Sequence, residues 1–191
     1  MDLTFLVTVL IGIIIVLFII IIVIYNGLIS MRNAVKNSWH GIDIQLKRRK
    51  DLIPNLVETV KGYSKYEKNL LEEITKIRTA LINSDQNVKK SAAADELLSQ
   101  NLKSLFAVAE NYPKLKANEN FLKLQYELTN TEDEISAARR IYNNNVRDYN
   151  IAIESFPKNI LASIFGFLKE DYFTATKEER ENVKADFQNL N

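Results

Sequence analysis

The chain has no cysteine and a single histidine, His40. Disulfide bridges and thiolate metal centres are excluded, and one imidazole leaves no HExxH or ExxH pair for a catalytic metal. Turn-forming residues are scarce, five glycines and three prolines in 191 positions, so long elements with few breaks are expected. There is no glycine-rich phosphate loop and no apolar–polar alternation long enough for a β-strand. An excess of one charge is missing too: 25 Lys and Arg against 24 Asp and Glu leave a formal charge of +1. The whole chain therefore exerts no electrostatic pull on nucleic acid. These absences predict no enzyme activity, no cofactor, no metal and no nucleic-acid partner.

What is abundant is one apolar run. Leu3 to Ile24 is broken only by Thr4, Thr8 and Gly12, and no charge falls between Asp2 and Arg32. About 20 such residues cross a bilayer as a helix. A cleaved signal peptide would carry a basic flank, a shorter apolar core and a small-residue cleavage site. The expectation here is an uncleaved anchor over residues 1–27, with its span at about 3–25. Arg32 and Lys36 follow the span, and the other flank has no Lys or Arg, which predicts an outside N-terminus and a cytoplasmic remainder. Thr4, Thr8 and Gly12 are four apart and share one helix face, a small-xxx-small stripe through which two spans can pack. Lipid-facing threonines at chance spacing are the plain alternative.

Beyond the span, Leu28, Arg32, Val35, Trp39, Ile42, Leu46, Arg49, Ile53, Leu56, Val60, Tyr63, Glu67, Leu70, Ile74, Ile77 and Leu81 recur at alternating spacings of four and three, a heptad seam. One helix is expected over about 28–83, ending at "NSDQN". A second, over about 86–112, carries Leu98, Leu102, Leu105, Ala109 and Tyr112 on one face and stops at Pro113. Asn118 is a suitable N-cap for a third, over about 118–155, with Phe121, Gln125, Leu128, Glu132, Ile135, Arg139, Tyr142, Val146, Tyr149 and Ile153 along its seam. Pro157 closes it. The expected fold is all-α: an N-terminal transmembrane helix, then an elongated antiparallel bundle of three long helices over 28–156, and a short apolar helical segment and polar tail over 157–191. Thr176 and Glu179 offer a capping box in the tail.

Three stretches, "YNGLISMRNAVKNSWHGIDIQLKRRKDLIPNLVETVKGY", "ENYPKLKANENFLKLQYELTNTEDEISAARRIYNNNVRDYN" and "FPKNILASIFGF", closely resemble the bacterial LemA family. They cover most of the chain from Tyr25 to Phe167. The resemblance implies an anchored, cytoplasmic helical bundle in a bacterial membrane. It implies no catalytic or ligand-binding residues.

Charges occupy seam positions where apolar side chains are expected. Arg32, Arg49 and Glu67 on the first helix, and Glu132 and Arg139 on the third, must find partners across the bundle or reach solvent along their stems. Fixing helix register and oligomer state is the best-attested use of such groups, and an exposed helix edge is the bland alternative. His40 beside Trp39 reads as a packing or surface residue, with a pH-sensitive group as the minor alternative. Tyr142 and Tyr149 are read as core rings whose hydroxyls reach the edge, ahead of a ligand-binding reading.

Pro54 sits inside the first helix just after the basic run Lys47, Arg48, Arg49 and Lys50. It removes the amide that would bond the Lys50 carbonyl, so a kink is expected there. The run lies about 30 Å beyond the span on a straight helix, outside the roughly 8 Å reach of its own lipids. Shape and register are its expected tasks, with recognition of an acidic partner second.

Ile160, Leu161, Ile164, Phe165, Phe167 and Leu168 concentrate apolar surface near the C-terminus. With three alternating long helices this segment is expected at the bundle end far from the protein's own bilayer. A cap over the bundle, a subunit contact and insertion into a second membrane are the three readings. For the whole protein the leading expectation is a self-assembling structural or scaffolding component of the membrane. Its alternative is a tethered adaptor recruiting an unidentified protein through the third helix and residues 157–168, with a metal-dependent sensor as the minority reading.

Overall fold

The computed structural model describes residues 3–63, 68–84 and 87–174. Among them are six helices and no strand: α1 Leu3–Lys61, α2 Lys68–Ile82, α3 Val88–Ala109, α4 Pro113–Lys116, α5 Glu119–Glu154 and α6 Lys158–Ile164. The all-α expectation holds. The described residues of Met1–Ile42 and Ala138–Tyr172 form one compact unit, and those of Asp43–Ala137 and Phe173–Asn191 form another. The division runs through α1 and α5.

The helix expected over 28–83 is two helices. α1 ends at Lys61, with Gly62 and Tyr63 in a turn, and α2 begins at Lys68. The four-and-three pattern ran on because Tyr63 and Leu70 keep its phase, yet Tyr63 is exposed and Leu71, not Leu70, is the buried position in α2. Gly62 is where the backbone gives way, glycine being the weakest helix former after proline. Glu67 and the Thr176–Glu179 box lie outside the described residues.

In the second unit the core is the predicted seam. Leu46, Ile53, Leu56 and Val60 of α1, Ile74, Ile77 and Leu81 of α2, Leu98, Leu102 and Leu105 of α3, and Phe121, Leu128 and Ile135 of α5 are all buried. Cross-links fix the directions. Arg78 of α2 meets Lys50 of α1, so those helices are antiparallel about the Gly62 turn. Asn118 bonds Tyr63 while Glu132 pairs with Arg49, which makes α5 antiparallel to α1. The ends are capped as physics requires: the Asn87 side chain accepts from the Lys90 amide at 3.0 Å, and Asn118 accepts from the Phe121 amide at 3.0 Å. Buried Ser84 and Ser91 share a 2.8 Å hydrogen bond between α2 and α3.

Helix α1 continues through Pro54, and Arg78 shows how. Proline leaves the carbonyl four residues back without its amide. That carbonyl, of Lys50, accepts instead from Arg78 Nε at 2.9 Å.

In the first unit α1 and α5 are again antiparallel. The Trp39 and Tyr142 rings meet edge-on with centroids 5.8 Å apart, and Asn145 Nδ2 donates to the Ala34 carbonyl. α6 ends in a Schellman turn: the Phe167 amide donates to the Ala162 carbonyl at 2.9 Å, and the Gly166 amide to that of Ser163. Gly166 has φ 69°, the left-handed conformation that glycine adopts freely.

Candidate functional site

Two constructions stand out from the apolar packing, one in each unit. The first is a buried ionic centre. The seam turns Arg49 inward, leaving it 2% exposed while Lys47 and Arg48 stay at the surface. Its Nη1 donates to Asp95 Oδ1 at 2.8 Å, and its Nη2 pairs with Glu132 Oε2 at 2.6 Å. Ser99 Oγ donates to that same Glu132 oxygen at 2.7 Å, so α1, α3 and α5 are tied at one level. Arg49 Nε has no hydrogen-bond partner among the described residues. Burial pushes the Asp95 carboxyl from an ordinary 3.8 up to about 6. Arg49 pulls it back down and the Glu132 carboxylate pushes it up again, so desolvation wins. A cleft of about 130 Å³, lined in part by Phe106, Leu128 and Glu132, opens beside the centre. Nearby, Arg48 pairs with Glu127.

The seam charges Arg49 and Glu132 are thus brought together. Asp95 was missed. Its signal was present, because the α3 seam extended backward from Leu98 reads Asp95 and then Ser91, again three and four apart, and both are buried. Arg139 is half-buried, with no ion pair among the described residues. His40 is exposed. No group of three or more His, Cys, Asp or Glu suited to a metal ion occurs among the described residues.

The second construction holds the chain after α6 against α5. Tyr142 OH donates to the Asp171 carbonyl at 2.8 Å, and Tyr149 OH to that of Leu168 at 3.0 Å. Asn150, next to Tyr149, gives Nδ2 to the Glu170 carbonyl and takes the Glu170 amide on Oδ1, copying the two-point pairing of a backbone. Burial, with Glu170 adding to it, raises both phenols above the usual tyrosine range, so they stay protonated donors. The two tyrosines are core rings with polar tips, as expected.

This segment carries the candidate interface. Phe167 is buried with Ala162, and Leu161 is half-buried, whereas Ile160, Ile164, Phe165 and Leu168 are exposed. The Phe165 and Phe167 rings meet Tyr25 edge-on, with centroids 4.9 and 5.9 Å away, and the Arg32 guanidinium lies 5.2 Å over Phe167. The expectation that the segment lies far from the span is therefore wrong. The extra helix α2 makes α5 run back along α1, so the segment ends beside the first aromatic residue after the apolar run.

Residues 4–23 of that run are exposed, and α1 is the described helix long and apolar enough to cross a membrane. Thr4, Thr8 and Gly12 lie on it exposed, and the Thr8 hydroxyl donates to the Thr4 carbonyl at 2.9 Å. The Thr8 hydroxyl is thus served within its own helix.

Residues 38–187 match the profile of the LemA family. The chain is 28% identical to Protein LemA of Metamycoplasma hominis over 83% of its own length and 72% of that protein's. It is 24% identical to magnetosome protein MamQ 2 of Paramagnetospirillum magneticum and 22% to MamQ of Magnetospirillum gryphiswaldense. In both cases the match covers 78% of this chain and 64% of the relative, so the chain spans less than two thirds of those proteins. Over the greater part of its length, the heptad seams and the arginine-centred bundle included, the chain belongs to the LemA family.

Proposed function

We propose that the protein is a non-enzymatic, single-pass membrane scaffold of the LemA type, anchored by α1 with its bundle in the cytoplasm, and that it works by self-assembly. The carrying observation is that one unbroken helix, Leu3–Lys61, supplies both the uncovered apolar run and core seam residues of the bundle. The basic residues Arg32 and Lys36 just past the run favour the cytoplasmic orientation. Assembly draws on the Thr4, Thr8 and Gly12 stripe of the span, while Leu122 and Tyr126, 47% and 66% exposed one turn apart on α5, stay free in each copy. Arg49, Glu132 and Asp95 keep the helices of each copy in register.

The test is direct. Detergent-extracted protein should elute as an oligomer at micromolar concentration and crosslink between copies in cells. A strict monomer in both measurements would remove the scaffold reading. It would leave the tethered adaptor, favoured by that same exposed pair on α5, to be tested by partner capture with Tyr126→Asp.

A further inference from the structure

We propose that the apolar face formed by Phe156, Ile160, Ile164, Phe165 and Leu168 is a second membrane contact, lying in the headgroup–acyl boundary of the bilayer that α1 crosses. The inference rests on the anchoring role proposed for α1. The five side chains are 50–81% exposed, and on α6 Ile160 and Ile164 are one turn apart on one face. Singly, exposed apolar residues need no explanation; five between Phe156 and Leu168, next to an anchor, do.

Position identifies the occupant. Leu3 to Ile24 is about 33 Å of helix, enough for the roughly 30 Å hydrocarbon core. Tyr25 then falls at the interface, where tyrosine with its apolar ring and polar tip is enriched. Phe165 and Phe167 touch Tyr25 directly, so the face is continuous with the uncovered surface of the span and not separated from it by polar bundle. The construction around it is firm. The Gly166 turn fixes where Phe165 and Phe167 point, the Arg32 guanidinium stacks on Phe167, and Tyr149 and Asn150 hold the chain at Leu168 and Glu170. Basic Lys158 at the start of α6 flanks the face, as does Lys169 beside Leu168, which is paired with Glu154 at 2.5 Å. That is the composition of an interfacial element: apolar side chains facing the acyl boundary with cations at headgroup level.

The absence of cysteine makes the test clean. Full-length protein carrying one nitroxide, through Ile164→Cys or Leu168→Cys, is reconstituted in phosphatidylcholine vesicles. Its collision rates with oxygen and with a water-soluble nickel chelate are then compared with those of Val16→Cys in the span and Tyr126→Cys on α5. All four positions are exposed, so the labels disturb no core. The expected result is that Val16 favours oxygen, Tyr126 favours nickel, and Ile164 and Leu168 gain oxygen and lose nickel contact relative to Tyr126. Labels at 164 and 168 matching Tyr126, with Val16 still favouring oxygen, would overturn the inference and leave the anchor intact. Nickel contact at Val16 would remove the anchor and the inference together. Shielding of 164 and 168 from both reagents would show a protein cover and also overturn it. Spin–spin broadening lost on dilution with unlabelled chain would then name a second copy, and exposure on deleting residues 175–191 would name the chain's own tail.

Discussion

Removing Arg49 should cost the bundle far more than removing either of its carboxylates. In Arg49→Met the apolar volume is nearly kept, but Asp95 and Glu132 are left facing one another without the cation between them. Breaking a buried ion pair from one side costs roughly 3–5 kcal/mol, a large share of any domain's stability. Asp95→Asn should act in the opposite direction. With its carboxyl raised from 3.8 to about 6, the folded state disfavours the ionised form by about 3 kcal/mol near neutral pH. Asparagine keeps an oxygen for Arg49 to bond, and the remaining Arg49–Glu132 pair is neutral. The expected change is a gain of about 1–3 kcal/mol at pH 7.5.

The pH dependence carries the same sign. A carboxyl whose folded value exceeds its unfolded value binds its proton on folding, so its contribution is full below about pH 4 and fades as pH rises through about 6. Stability relative to Asp95→Asn should therefore fall by up to about 1.4 kcal/mol per pH unit in that window. Urea unfolding of the full chain in detergent micelles, followed by far-UV ellipticity, measures it, and the variant difference cancels the other carboxylates. If wild type gains on Asp95→Asn between pH 4 and 6, Arg49 outweighs desolvation and the reasoning is refuted. Replacing Arg49, Asp95 and Glu132 together by Met and Leu separates strength from alignment. The midpoint should hold or rise, and a loss of amide dispersion by NMR would reveal the register role.

Two further outcomes test local constructions. Arg78→Met should cost roughly 1–2 kcal/mol because the Lys50 carbonyl loses a charged donor. In a Pro54→Ala background, where a helical amide serves that carbonyl, the cost should drop by about 1 kcal/mol, measured as the coupling in a double-mutant cycle; strict additivity would mean Arg78 does not compensate for the proline. Gly166→Ala places a Cβ in open space but in a left-handed backbone, costing about 1 kcal/mol. The Phe167 amide should then exchange with solvent roughly fivefold faster, and unchanged exchange would show that the turn tolerates the side chain.

The bundle core was legible because burial at seam positions needs only periodicity. Val35, Ile42, Leu56, Leu128 and Val146 are where the pattern puts them. Inward charges were legible for the same reason, since Arg49 and Glu132 interrupt an otherwise apolar stripe. Asp95 was not, because the α3 seam was started at Leu98, one position too late to include it. Arg78 could not be found this way: bonding a carbonyl freed 28 residues earlier leaves no periodic trace. The break at Gly62 was hidden by a heptad phase that survives through Tyr63 and Leu70.

That hidden break decides the most consequential placement in the molecule. Had 28–83 been one helix, the next long helix would return along it and α5 would run parallel to it, carrying the C-terminal segment away from the span. With α2 folded back from the Gly62 turn, α3 becomes parallel to α1 and α5 antiparallel, as the Tyr63–Asn118 and Arg49–Glu132 pairs require. One loop therefore reverses the sense of everything after it. The same apolar residues that sequence reasoning assigned to a distant cap or a second membrane end at Tyr25. Their chemistry is unchanged; helix parity alone converts them from a far-end surface into a neighbour of the anchor.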